Sequence, residues 1–438
     1  MDSLWRESIN MPAFSPLDGS KNTDVLVIGG GIAGILCAYA LRKAGVDVML
    51  VEEKRICSGV TQNTTAKITS QHGLIYDKLL SKFGNEKAKL YLQANQEALA
   101  KYRELSGFIN CDFEDKDAFI YSTNSIQALE RERNALDNLG YSADYIEELP
   151  LPFPTAGGIR FSGQAQFHPL KFLSAIAQDL NICENTKVLE LMPGIVRTSR
   201  GTIRAKAIVI ATHFPMLNKH GSYFLKLYQQ RSYVLALENV PKIDGMYIGA
   251  EYPNLSFRNH GSLLLFGGCG HRTGKEGGGW QDLTYNAHRY YPKSTVSHKW
   301  ATQDCMTLDG IPYIGKYSKN TQGLYVATGF QKWGMTTAMV ASEILRDLIL
   351  EKENPYADLF SPSRSILCPQ LAVNGFESVK NLLSFRTPRC PHLGCALKWN
   401  AQEHSWDCAC HGSRFSEDGE VLNNPATDDI KIEKRRSH

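Results

Sequence analysis

The sequence has no basic segment followed by an apolar run at its start. MDSLWRESINMPAFSPLDGS carries neither, so no signal peptide is expected. It also lacks a long uninterrupted apolar stretch: the longest, Val25 to Leu41, is broken by four glycines. No membrane span is therefore expected, and the reading is a cytoplasmic protein. An excess of one charge is missing too. With 48 Lys and Arg against 45 Asp and Glu, the net charge is +3, which excludes the electrostatic footprint of a nucleic-acid binder. Glycine is ordinary at 36 of 438 residues and hydrophobic residues make up 43%, so disorder, collagen and coiled coil are excluded. The 11 cysteines do not form the dense pattern of a secreted disulfide scaffold. Seven are scattered singly up to Cys368, and four fall together between Cys390 and Cys410. At about 150 residues per domain the length suits roughly three domains, with a metal or redox module at the end.

What is present begins at residue 24. DVLVIGGGIAGILCAYALRKAGVDVMLVEE opens with a short apolar strand, Val25–Ile28, of the buried parallel type. Gly29, Gly31 and Gly34 follow in G-x-G-x-x-G register, then a helix ending at Gly45 and a second strand, Val48–Val51. Glu52 closes the unit 18 residues beyond Gly34. Gly29 suits a tight turn, Gly31 a backbone approach to a pyrophosphate, and Gly34 close helix–strand packing. The helix N-terminus offers free N–H groups and a positive dipole end to phosphates. Glu52 can accept hydrogen bonds from both ribose hydroxyls, which favours FAD or NAD over a 2′-phosphorylated nucleotide. The other Gly-x-Gly candidate, Gly268 and Gly270, has no periodic helix or acid after it, so no second nucleotide domain is expected.

Beyond Glu52 the chain runs into SGVTQNTTAKITSQHG rather than a further βα repeat. Later come the strand TIRAKAIVIATH, the segment DGIPYIG, and GLYVATGFQKWGMTTAMVASEILRDLIL, a strand leading into a long helix. From residue 23 to about 356 the chain resembles the D-amino-acid oxidase and glycine oxidase type of FAD-dependent oxidoreductase. The resemblance implies a discontinuous FAD domain (20–83, 150–215 and 301–356). It also implies an interleaved antiparallel-sheet substrate domain (84–149 and 216–300). It further implies flavin contacts from Ser58, Thr65, Ala66, Val188, Thr212, Gly329, Gly334, Met335 and Thr336. Oriented N–H groups at Gly334 and Met335 would favour negative charge on the flavin pyrimidine edge. Within the substrate segments, helices are expected at 84–106 and 124–139, and a further helix begins at His168-Pro169-Leu170. Candidate substrate residues are Arg272 and His271, as carboxylate binder and neighbour of the reacting carbon, with Tyr233 and Lys332; a surface, loop or core role is the alternative for each. Cys57 lies near the flavin stretch and reads as a buried thiol rather than a covalent attachment point.

The tail reads CPHLGCALKWNAQEHSWDCACHGSRF. Cys390-x-His392 and Cys408-x-x-His411 are two short ligand pairs separated by fifteen residues. Two Cys and two His also suit structural zinc, but the C-x-H spacing and the additional Cys395 and Cys410 set this tail apart. The whole resembles a Rieske 2Fe–2S domain. By that resemblance Cys390 and Cys408 hold one iron and His392 and His411 the other, while Cys395 and Cys410 form a disulfide. Ser413 matches a serine that donates to a cluster sulfur. Phe415 stands where respiratory members have Tyr, which implies a lower potential than theirs. The domain, assigned 361–438, is short before its first ligand and is expected to lean on the FAD domain. A helix is expected after the Asn374-Gly375 turn, with Phe376, Val379 and Leu383 on one face; KIEKRRSH reads as a solvated tail.

The fold class expected is α/β: a Rossmann-like FAD domain with an interleaved substrate domain and a small β-rich Rieske domain. Together the modules suggest oxidation of a small amine or amino acid at the flavin. Electrons would then pass singly through the cluster to a partner protein or small acceptor. A cluster-fed reductase and a non-catalytic redox sensor are the alternatives.

Overall fold

The computed structural model describes residues 3–217, 220–367, 369–384 and 388–432. Cys368 and the basic end 433–438 lie outside the described residues. Among the described residues the strands form sheets of eight, nine and four.

The eight-stranded sheet is built around Lys21–Ile28, which pairs in parallel with Thr202–Ile210 on one side and Val48–Val51 on the other. The run Val25–Ile28 is buried on both faces, which is why it lacks polar alternation. Helix Ile32–Lys43 packs against helix Gly334–Ile349 over this sheet. In register, Ile28 sits opposite both Ile210 and Val51. Gly29, Glu52 and Ala211-Thr212 therefore emerge at one sheet edge, the carboxyl ends of the strands, where ligands bind in such sheets.

The nine-stranded sheet runs Thr295–Thr307, Leu227–Glu238, Leu263–Arg272, Ser256–His260, Met246–Gly249, Glu114–Ser122, Gly157–Gln166 and Lys67–Ile68, with Asp144–Ile146 beside Gly157–Gln166. It reaches past the boundaries expected for the substrate domain, taking in Gly157–Gln166 and the whole of Thr295–Thr307. Its halves come from separate chain excursions, and the parallel pair of Met246–Gly249 with Glu114–Ser122 joins them within an otherwise antiparallel sheet. The helix expected at 84–106 continues a shorter one: Tyr76–Ser106 breaks at Gly84, whose φ of 80° only glycine adopts cheaply. The buried Glu132 carboxylate accepts from the N–H groups of Tyr76 and Asp77, both at 2.9 Å. It caps that helix from its neighbour Ile126–Asn138.

The terminal module is an antiparallel sheet of Leu397–Asn400, Ser405–Cys408, Arg414–Ser416 and Val421–Asn423. Its small core holds four cysteines, Leu397, Phe415 and Ala426. The helix before it, Pro369–Leu382, runs straight through Asn374-Gly375 instead of starting after it. Asn374 is buried and accepts from Arg272 Nη1 at 2.9 Å, so a tertiary hydrogen bond outweighs the local turn preference. Phe376, Val379 and Leu383 do share a face, and it points outward: they are 68%, 56% and 72% exposed. The inward face carries Asn374, Asn381 and Glu377, the last paired with Lys275.

Candidate functional site

The edge where the parallel strands end opens into a cavity of about 1320 Å³, larger than most small-molecule sites. Gly29, Gly31 and Glu52 line one end, followed by Ser58, Thr61 and Thr65. Val188, Thr212, Gly329, Gly334 and Met335 line it as well. Gly34 stands behind the loop rather than in the wall. A Cβ there would run into the Gly29 carbonyl oxygen, and one at Gly29 would come within 2.7 Å of the Ala211 oxygen. The turn can pack this closely on its own backbone and on Ala211 only as glycine. Glu52 accepts from Gly30 N–H at 2.7 Å and Lys54 N–H at 2.9 Å, which holds its carboxylate at the cavity rim. Ala66 and Thr336 also stand one layer back. Ala66 gives its carbonyl to Arg258, and Thr336 Oγ1 lies 3.0 Å from His72 Nε2. Cys57 is a buried free thiol whose titration burial pushes far up.

Several cavity residues had no place in the sequence reading. His72 stacks on Trp333 with centroids 4.9 Å apart, and burial pushes its titration down to about 3, so the ring is neutral. Asp304 lies in the wall with Ser232 Oγ donating to it at 2.9 Å; burial raises its carboxyl while the Lys332 charge opposes. An acid in the middle of the strand WATQDC was the available signal. Lys67 and Ser256 line the wall together. The segment 420–429 of the terminal module also lines the cavity, and no local pattern foretold that.

The four candidate substrate residues separate. Lys332 lines the cavity. Tyr233 borders it, but its hydroxyl donates to Glu403 of the terminal module at 2.8 Å and meets His271 Nε2 at 2.9 Å. Arg272 corrects the expectation of a carboxylate binder. Its guanidinium donates to the carbonyls of Ala409 and Cys410, at 3.3 and 3.1 Å, and to Asn374. These donors are spent holding the loop that carries Cys408 and His411.

Glu403 is the hinge of this docking. It accepts from Arg231 Nε at 3.0 Å and Arg414 Nη2 at 3.0 Å, and all three side chains are nearly fully buried. Burial alone would raise its carboxyl, but the Arg231 and Arg414 guanidiniums override it and hold it down at about 2. A depressed carboxyl contributes stability that is fully present above its ordinary 4.5 and lost as pH falls through the folded value. Acidification from about pH 4.5 towards 2 is therefore expected to loosen the terminal module, read as a falling urea midpoint. A midpoint constant across that window would contradict the assignment.

The cysteine–histidine cluster sits directly above this contact. The Cys390 and Cys408 thiols share a hydrogen bond, and the rings of His392 and His411 lie 5.0 Å apart. Chiefly through that bond, then through donation from Ser413 and from the N–H groups of His392 and Leu393, Cys390 is brought down to about 7 against burial. His411 Nδ1 is buried with no hydrogen-bond partner, which a metal ligand satisfies. A disulfide joins Cys395 to Cys410. The donor set of two thiols, two imidazoles and N–H groups aimed at sulfur fits an iron–sulfur cluster.

Both rings pack against the large module, His411 with its centroid 6.3 Å from that of Phe224. His392 lies 6.1 Å from Phe214, a fully buried residue two positions after Thr212 in the cavity wall. Asn424 Nδ2 donates to the carbonyls of Thr212 and Phe214, at 2.6 and 3.1 Å. Ala426 N–H donates to Ser413 Oγ at 3.0 Å, tying the same segment to the cluster side. On the strand Leu227–Glu238, Gln229 Nε2 donates to the His411 carbonyl at 2.9 Å, while its neighbour Gln230 lines the cavity. Among the described residues no helix is long and apolar enough to cross a membrane.

Comparison with known proteins agrees with both halves. Residues 24–348 match the FAD dependent oxidoreductase family, and residues 378–433 match the Rieske [2Fe-2S] domain. A Bacillus subtilis (strain 168) protein, YhfW, which carries the name of a Rieske 2Fe-2S iron-sulfur protein, is 36% identical over 98% of this chain and 97% of its own. Gamma-glutamylputrescine oxidoreductase of Escherichia coli (strain K12) is 22% identical over 85% of this chain and 96% of its own. Glycine oxidase from Geobacillus kaustophilus superposes with a TM-score of 0.67 at 21% identity, covering 79% of this chain and 100% of that one. With a glycine loop at the sheet edge, a cysteine–histidine cluster beside it and a family match over most of its length, the chain belongs to the FAD dependent oxidoreductase family and carries a Rieske domain at its C-terminal end.

Proposed function

We propose that the chain oxidises a small amine or amino acid at FAD and passes the electrons one at a time through the 2Fe–2S cluster to an acceptor. The observation that carries this reading is that the cluster histidines pack on the large module, His392 against Phe214, two residues along the chain from Thr212 in the FAD cavity wall. A cluster meant only to meet an outside partner has no need to pack its ligand rings there. The chemistry supplied when both groups are bound is two-electron oxidation beside nitrogen at the flavin and single-electron carriage at the cluster. Names among the relatives point to the same substrates, a γ-glutamyl diamine and glycine.

In this reading Gly29 and Gly31 let the backbone approach the pyrophosphate, and Glu52 accepts from the ribose hydroxyls. Ser58, Thr65, Val188, Thr212 and Gly329 shape the walls, with Gly34, Ala66 and Thr336 supporting them from behind. The N–H groups at Gly334 and Met335, in the cavity wall, would offer the positive end of a helix to a bound flavin. Asp304 and Lys332, which both line the cavity, are placed to hold or move a proton near the substrate, while neutral His72 supports the wall from its bonds to Tyr91 and Thr336. Cys390 and Cys408 would hold one iron, His392 and His411 the other.

Anaerobic titration with small amines and amino acids tests the proposal. At least one is expected to bleach the flavin band, with the cluster spectrum changing afterwards; if none does, the oxidation reading is wrong. A second expectation concerns Phe415, buried in the module core. Phe415→Tyr adds a hydroxyl donor near the cluster and should raise its midpoint potential in film voltammetry. An unchanged or lowered potential would refute that.

A further inference from the structure

We propose that Lys67 and Ser256 form an anion site in the cavity wall that takes the carboxylate of an amino-acid substrate. Lys67 lies on the two-residue strand Lys67–Ile68, paired with Gly157–Gln166, and its side chain is 9% exposed in a wall residue of the cavity. Its ammonium donates to Ser256 Oγ on the facing strand. Among the described residues no carboxylate pairs with it, so two of its three donors are left for a ligand. A second cation stands close behind. Arg258, 1% exposed, gives Nη1 to the carbonyls of Thr65 and Ala66 at 2.7 and 2.8 Å. Those carbonyls accept from Nη1 without supplying a negative charge, and among the described residues the carboxylate that acts on Arg258, that of Glu114, forms no salt bridge with it.

Two buried cations this close, neither in a salt bridge among the described residues, are costly unless an anion joins them. Burial, and then repulsion from Arg258, push the Lys67 ammonium down to about 7, and a carboxylate beside it would favour the charged form again. A carboxylate supplies both the charge and the missing acceptors, through charge-assisted hydrogen bonds worth about twice neutral ones. The cofactor's phosphates have their own cradle in the glycine loop and the helix end after Gly31. The same pair repels a plain ammonium, so the site favours amino acids over simple amines. This inference rests on the proposed oxidation only for the identity of the ligand, because carboxylate binding needs no turnover.

The test uses the FAD-loaded protein and two probes, benzoate and its uncharged analogue benzamide, followed by perturbation of the flavin spectrum. The unaltered protein should bind benzoate about ten-fold or more tightly than benzamide. Lys67→Met should abolish that preference while its FAD content stays at the wild-type ratio, and Lys67→Arg should restore most of it. Three results overturn the proposal: no benzoate preference in the unaltered protein, an unchanged preference in Lys67→Met, or loss of FAD from Lys67→Met, which would make the cofactor the anion. Benzoate binding that depends on Lys67, in a protein that oxidises no amino acid, would uphold the site and sink the oxidation reading instead.

Discussion

Glu403→Leu is expected to lose about 3–5 kcal/mol of stability at neutral pH, the usual cost of leaving a buried charge without its partner. Here two guanidiniums lose their acceptor at once, Arg231 from the large sheet and Arg414 from the terminal module, and the Tyr233 hydroxyl loses its acceptor as well. Domains hold only about 5–15 kcal/mol in total, so this change alone should separate the modules. The loss should be visible as an early, independent unfolding step in urea and as rapid protease cleavage near the helix Pro369–Leu382. FAD should stay bound, because the glycine loop does not touch Glu403. Glu403→Gln should cost less, since it keeps acceptors for part of the network while giving up the charge. A Glu403→Leu protein that unfolds in one step at the wild-type midpoint would show that the docking is held elsewhere.

Gly34→Val should yield a protein without FAD. The new side chain must occupy the space of the Gly29 carbonyl oxygen, on a residue whose N–H is bonded to the Val51 carbonyl. Gly29 itself has φ of 109° and lies against Ala211, so the whole turn is fixed by close approach. Overpacking of this kind costs about 3 kcal/mol and pushes the helix Ile32–Lys43 off the strand. The cluster, whose ligands lie on another module, should remain and keep its colour. The ratio of FAD to protein after purification checks this: it should fall below about one tenth of the wild-type value. A full complement of FAD would show that the loop is not the phosphate cradle.

The parts of this molecule that were legible beforehand are those whose signal is local. The strand, glycines, helix and acid from Val25 to Glu52 fall within one supersecondary unit, and the four cluster ligands within one short segment. Turn chemistry and periodicity act over such distances. The docking does not. Arg231 and Glu403 are 172 residues apart, and Lys67 and Ser256 are 189 apart. Arg272 shows the consequence: a glycine-rich strand end suggested an exposed guanidinium free for a substrate, whereas a second module supplies its acceptors. The helix through Asn374-Gly375 is the same lesson at smaller scale, because Arg272 and Gln370 both donate to the Asn374 side chain. What a single sequence withholds is which surfaces meet, and here that meeting sets both the cavity wall at 420–429 and the packing of the histidines on the large module.

The central claim is that flavin and cluster exchange electrons within one chain. Rapid anaerobic mixing of the loaded protein with a substrate that bleaches the flavin tests it most directly, with the cluster followed by its own absorbance and by electron paramagnetic resonance. The cluster should become reduced after the flavin, at a rate independent of protein concentration. A cluster that stays oxidised while the flavin bleaches, or a rate that rises in proportion to protein concentration, would contradict it.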